Sequence, residues 1–421
     1  MWCGRQQPDA LSTCDFVLFM IRQYLTLPAA EQIPAATITF VALLLFLQLG
    51  ISGAIATALS ASLLLPWALR DVLGSRLHLS QLSGWSRVMM VEAFLFLSLL
   101  SLAFFIRRDF SATYLSLLVI SALAACHRRI TESYYRSSVS PHLLQFYRSP
   151  RNWSSQLMLI LTYGVLIMVV GNLEVYYRQI PLAWTMGCYL LAGIFLVFVL
   201  VNFLSLRTYH NVPPHREKPL VRLPIVTYLL LPLLLLPQSL MFYTRVLYLM
   251  DVPDRGGLGC TIQEVCMAQG VVGVVAFSLG LAIGRSLMRW IPVRLLMWPF
   301  VVLLSLSPLV YLKMTIQPPQ TLAILCLSTF QAQILFGLGL SACRILLQPC
   351  ADRRMAVQRH VDDANPFFHP AVLGGMLLPL FLSGWLVARL GYYHFFLIDT
   401  LTAPLAWAAC WLLWKKNLKK Q

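Results

Sequence analysis

The chain returns repeatedly to apolar stretches of about 20 residues, the length a helix needs to cross a hydrocarbon layer about 30 Å thick at about 1.5 Å per residue. Twelve stretches qualify: 21–46, 51–69, 87–105, 111–127, 156–174, 182–205, 225–250, 265–285, 294–313, 319–343, 368–387 and 393–414. Composition bears on the same point. Of 421 residues, 59% are apolar and 11% charged, against roughly 45–50% and 25% in a soluble domain. A soluble globule of this length cannot hide so much apolar side chain, so the excess faces lipid. The first stretch is interrupted by Arg22, Glu31 and Pro34. It is long and lacks a small-residue cleavage site, so it reads as a span rather than a cleavable signal.

A formal net charge of +16 would point to nucleic acid in a soluble protein. Placement argues otherwise. With a cytoplasmic amino terminus, the inside loops collect Arg70, Arg76, Arg128, Arg129, Arg151, Arg216, Arg222, Arg285, Arg353 and Arg354, and the tail adds Lys415, Lys416, Lys419 and Lys420. Arg107, Arg108, Arg178, Arg255, Lys313 and Arg389 remain outside. Such a bias is how cytoplasmic loops are marked, so the basic charge is a topology signal and no nucleic-acid partner is expected. It implies an even number of crossings in a multi-pass membrane protein with both termini cytoplasmic.

No chemistry-bearing cluster competes with this reading. The ten cysteines are scattered, without the spacing of a zinc or redox pair, and only Cys260 and Cys266 share an outside loop where they could pair. Nucleophile elbow, metalloprotease, phosphate-loop and dinucleotide fingerprints are all missing. The histidines, His127 among them, read as isolated or in loops. The expectation is a protein without catalytic residues, metal or cofactor.

The longest polar stretch near the middle, Thr208 to Arg222 with Pro213 and Pro214, separates six spans from six. The expected organisation is an N-terminal half at 1–205, a cytoplasmic linker at 206–224, and a C-terminal half with a basic tail at 225–421. Two six-helix halves enclosing a midplane site is the plan of the major facilitator superfamily. The fold class is therefore an all-α membrane protein with twelve transmembrane helices. Between spans two and three, Asp71, Gly74 and Arg76 resemble that superfamily's loop, in which acid and base latch helix ends and glycine permits the turn. Gly280 and Gly284 in span eight read as a close-packing surface.

Several segments resemble the AmpG muropeptide permease family, a branch of this superfamily. They are Ala30-Glu31-Gln32-Ile33-Pro34 in span one, Leu49-Gly50-Ile51-Ser52 after it, and Leu65-Pro66-Trp67 before the loop. Further on come Arg255-Gly256-Gly257-Leu258-Gly259, Gly375-Met376-Leu377-Leu378-Pro379, Ser383-Gly384-Trp385-Leu386 and Gly391-Tyr392-Tyr393-His394-Phe395-Phe396. Their order and spacing cover nearly the whole chain. The resemblance implies proton-coupled import of a peptidoglycan-derived glycopeptide, an anionic small-molecule substrate, as in peptidoglycan recycling. The chain also departs from the family. His127-Arg128 stands where the family has a Gln/His-Asp pair, although Glu132 keeps the second acid. Ser155-Gln156 replaces Tyr-Arg with Arg151 retained, and Leu236-Pro237-Gln238 replaces F-G-E. These changes motivate two alternatives: transport of another small organic anion, or a non-transporting membrane sensor.

An ionisable group in lipid costs about 2.5–3.5 kcal/mol at a helix centre on insertion scales, so one that persists usually faces a cavity. Glu31, Glu92 and Asp399 fall inside spans and are the proton-coupling candidates. Glu31 lies on the resembled family's span-one acid, one turn from Pro34; Glu92 stands where that family tends to have Gln. Burial disfavours the charged form of a carboxyl, which would let a proton bind and leave during a cycle. Arg128, Glu132, Arg151, Gln238 and Arg245 are the substrate-binding candidates, since guanidinium groups grip carboxylates with two prongs.

Overall fold

A computed structural model describes residues 26–70, 84–138, 153–206, 225–347 and 369–418. The expected linker lies almost wholly outside these residues, as do Asp71, Gly74, Arg76 and Arg151. The described chain is helical throughout, as lipid demands, because a helix satisfies its backbone polar groups internally.

The helices in chain order are α1 (Leu27–Gln48), α2 (Gly53–Ala68), α3 (Gly84–Phe105), α4 (Phe110–Ser138), α5 (Trp153–Tyr177) and α6 (Ile180–Leu206). There follow α7 (Ile225–Met250), α8 (Ile262–Trp290), α9 (Val293–Ile316), α10 (Leu322–Leu347), α11 (Pro370–Leu401) and α12 (Ala403–Leu418). Large apolar side chains such as Leu97, Leu115, Val197, Leu229, Leu378 and Trp385 stand on the outside. Only a lipid solvent makes that arrangement stable.

The expected twelve crossings meet ten helices that are long and apolar enough among the described residues. The difference has two sources. Gly53–Ala68 is too short by the same measure. The eleventh and twelfth expected spans run together as Pro370–Lys415, 46 residues long, about twice what one crossing needs. Gly391 breaks that run at φ 74° and ψ 164°, a conformation that only glycine adopts without strain.

Position in the bundle follows from how much of each helix is covered. In its most apolar window α1 is 89% buried, whereas α6 is 33% buried. Accordingly α1 is the axial helix and α6 faces lipid. Helices remote in sequence pair across the bundle: α2 with α11, and α5 with α8. Both crossings are tight because glycine lets backbones meet. A Cβ on Gly384 would strike Thr57 and the Gly53 carbonyl, and one on Gly270 would strike the backbone of Gly164. Gly280 and Gly284 do the same for α8 against α10, meeting the backbone of Ile334 to Leu338 and the side chain of Ser341.

Candidate functional site

Three helices widen into π-helical turns: Thr37–Val41 in α1, Ile160–Val165 in α5 and Cys266–Gly273 in α8. In α1 the cause is local. Pro34 withholds one backbone donor, and the hydroxyls of Thr37 and Thr39 bond the Ile33 and Ala35 carbonyls at 2.8 and 2.7 Å. Proline and back-bonding hydroxyls both loosen the regular ladder. All three wide turns open onto one cavity, to which they contribute Phe40, Tyr163, Gln269 and Gly273. Such turns concentrate at functional sites.

The cavity measures about 40 Å³. A water needs about 10–15 Å³ of such space, so the cavity has room for a few waters and is too small for a larger molecule. Aromatic rings form much of its wall: Phe40 stacks on Tyr163 with centroids 4.7 Å apart and tilts against Phe242 at 5.6 Å. A polar chain crosses it. Gln333 donates through Nε2 to Gln269 Oε1 at 3.1 Å, and Gln269 donates through its own Nε2 to Tyr311 Oη at 2.9 Å.

Arg245 enters this cavity from α7, 5% exposed. Its guanidinium lies 4.9 Å from the Phe242 ring centroid, a cation–π contact that recovers part of the lost hydration. Its Nε and Nη1 have no hydrogen-bond partner among the described residues. A buried cation with open donors is costly and well suited to a carboxylate.

A second polar region lies along α4. Arg128 donates to Glu31 of α1 at 2.5 Å through Nη1 and to Glu132 at 3.0 Å through Nε. Arg70, just beyond α2, stands 3.9 Å from Glu132, and Arg129 donates to the Arg70 carbonyl at 3.4 Å. Glu31, Arg128 and Glu132 are 6 to 9% exposed. Charges of both signs thus lock α1, α2 and α4 at one end. The neighbouring residue, His127, faces Glu92 of α3 at 3.1 Å between Nε2 and Oε1. Asn202 of α6 donates to the same oxygen at 2.9 Å and accepts from Thr26 at 2.6 Å.

The structure therefore distributes the sequence candidates over several places. Arg245 lines the cavity. Glu31, Arg128 and Glu132 form one network and Glu92 a second. Gln238 donates to the Leu304 carbonyl at 2.6 Å, tying α7 to α9. Asp399 is fully buried in α11, and neither carboxylate oxygen has a hydrogen-bond partner among the described residues. Cys260 and Cys266 are free thiols. Sequence reasoning did not reach Tyr163, Gln269, Tyr311, Gln333 and Asn202, which are polar residues inside apolar spans. That exception was a usable signal.

No family model and no curated protein matches the sequence. Solved structures do. A bacterial homologue of the human lysosomal transporter Spinster, inward-facing and unoccupied, matches at TM-score 0.66 and 14% identity over 98% of this chain and 99% of that one. The nucleoside transporter NupG matches at 0.63 and 15% over 94% and 98%. A bacterial homologue of the iron transporter ferroportin, inward-facing, matches at 0.65 and 16% over 96% and 100%. The chain shares their helical fold. At this identity the fold is what the likeness carries.

Proposed function

We propose that this chain is a secondary active transporter that moves a small organic anion across a membrane by alternating access. The observation that carries the reading is Arg245, buried with open donors in a cavity bounded by helices of both expected halves. The transporters of this fold named above handle cargoes as different as nucleosides and, through the ferroportin relationship, iron. Cargo is therefore read from the cavity. A carboxylate on Arg245 would take two charge-assisted hydrogen bonds, worth about 1.5–3 kcal/mol each. The rings of Phe40, Tyr163 and Phe242 would cover a flat or apolar body.

Coupling to protons fits the same cargo. An anion entering a cell against an inside-negative potential loses about 2.3 kcal/mol per charge per 100 mV, and a co-transported proton cancels that term. The sequence resemblance supports a finer reading, import of a muropeptide across a bacterial inner membrane with both termini cytoplasmic. Glu31 keeps the resembled family's acid, and its contact with Arg128 places it where exchange of partners would move α1 against α4.

The test is counterflow in proteoliposomes holding the full chain. Labelled anhydro-muropeptide, aryl carboxylates and dicarboxylates would be offered in parallel. At least one anion should exchange, and Arg245→Gln should reduce its exchange tenfold or more. Saturable binding with no exchange of any anion would overturn the transporter reading in favour of a membrane sensor. Exchange unaffected by Arg245→Gln would remove that residue from the site. A preference for the muropeptide over the aryl carboxylates would decide the cargo.

A further inference from the structure

Consecutive residues on a helix point about 100° apart, and His127 and Arg128 use that angle to reach two different acids. Arg128 meets Glu31 of α1, and His127 meets Glu92 of α3. The two contacts differ in kind. A guanidinium stays protonated in proteins, so Arg128 is a fixed charge. An imidazole gains and loses its charge within the physiological range.

Burial around the second contact is complete: the side chains of His127 and Glu92 are 1% and 0% exposed. Their remaining polar atoms, His127 Nδ1 and Glu92 Oε2, have no hydrogen-bond partner among the described residues. From Ile180 to Leu206, α6 carries no acid, base or histidine and contributes only Asn202. On α3 the other ionisable group is Arg87, a little over one turn away. Arg128 bonds both Glu31 and Glu132, Arg70 stands near Glu132, and Arg129 reaches a backbone carbonyl.

We infer that Glu92 and His127 together form a proton-binding site, distinct from the guanidinium-held Glu31. The step is simple. Carboxylate with neutral imidazole carries one negative charge in a dry interior, and one proton taken from water brings the pair to zero. The neutral form is imidazolium with carboxylate, or imidazole with carboxylic acid; release reverses the step. Both neutral forms avoid the cost of an isolated buried ion. The change is transmitted to the foot of α1 through Asn202 and Thr26, and α1 carries Phe40 into the cavity. The use of this proton to drive cargo rests on the proposed function. The site itself does not.

The experiment therefore needs no cargo. Purified full-length protein in lipid nanodiscs is brought from about pH 8 to about pH 5 in weak buffer, and protons bound per chain are counted with an indicator dye. Glu92→Gln should bind one proton fewer than the wild type. His127→Gln should keep that proton and move its midpoint by a pH unit or more. Glu31→Gln should leave this proton in place. Equal uptake by wild type and Glu92→Gln overturns the inference. Should Glu92→Gln fail to fold, Asn202→Leu gives the reading instead, because it removes one hydrogen bond from Oε1. A moved midpoint supports the site, and an unmoved midpoint overturns it. Loss of anion exchange in the counterflow assay, with this proton still counted, would sink the transporter reading alone.

Discussion

Among α1, α2 and α4, the charges of Glu31, Arg70, Arg128 and Glu132 stand within 4 Å of an opposite charge, in a chain from 2.5 to 3.9 Å. In α7 and α11, Arg245 and Asp399 are as deeply buried and have open polar atoms among the described residues. The two regions do different work with the same kind of group. Compensated charges fix helices to one another, and breaking one pair leaves its partner exposed to a low dielectric. Polar groups without a partner add little to packing and keep their donors or acceptors for something that comes and goes. A cargo anion suits Arg245 on this ground.

The contrast can be broken by experiment, the largest expected effect first. Arg128→Met takes from Glu31 and Glu132 the guanidinium that bonds both, and removal of one member of a buried pair costs about 3–5 kcal/mol. Thermal unfolding in detergent should show that loss, and an unchanged midpoint would mean that the network is not compensated as described. Pairing Arg128→Gln with Glu31→Gln should recover about 0.5–3 kcal/mol relative to the sum of the single changes, the usual range for residues in contact. Arg245→Met should behave oppositely. Stability should hold or rise, while the thermal shift given by a bound anion falls by the equivalent of about 1.5–3 kcal/mol. A large loss of stability in this variant would place Arg245 with the paired charges. Asp399→Asn keeps the shape of the side chain, so the unfolding free energy should change by no more than about 1 kcal/mol.

Much of the fold was legible because hydropathy reports lipid contact directly, and helices as distinct as α6 and α9 differ from their sequence limits only at the ends. The short α2 and the fused α11 were not, since both depend on where backbone geometry breaks rather than on apolar length. The candidate site was legible in part. Arg245 stood out as a charge inside an apolar span. Arg128 read as a topology charge because the apolar stretch ends at 127, yet α4 continues to Ser138 and keeps Arg128 on its inner side. His127 read as isolated because its partner is 35 positions away on another helix. Spacing within one helix cannot report a contact between two. Gln269 and Gln333, 64 positions apart, were hidden for the same reason.

The wide turns have a further consequence for phase. Each inserts about one extra residue, so the helix beyond it is rotated by about 100° relative to an uninterrupted one. In α1 the turn at Thr37–Val41 sets the azimuth of everything from Ala42 to Gln48. Gln48 ends that arm by accepting from Trp184 Nε1 at 2.9 Å. Excising a single residue from the turn would swing Gln48 away from its tryptophan while leaving Glu31 in place, so the two ends of the axial helix are indexed to each other by one loop of widened backbone.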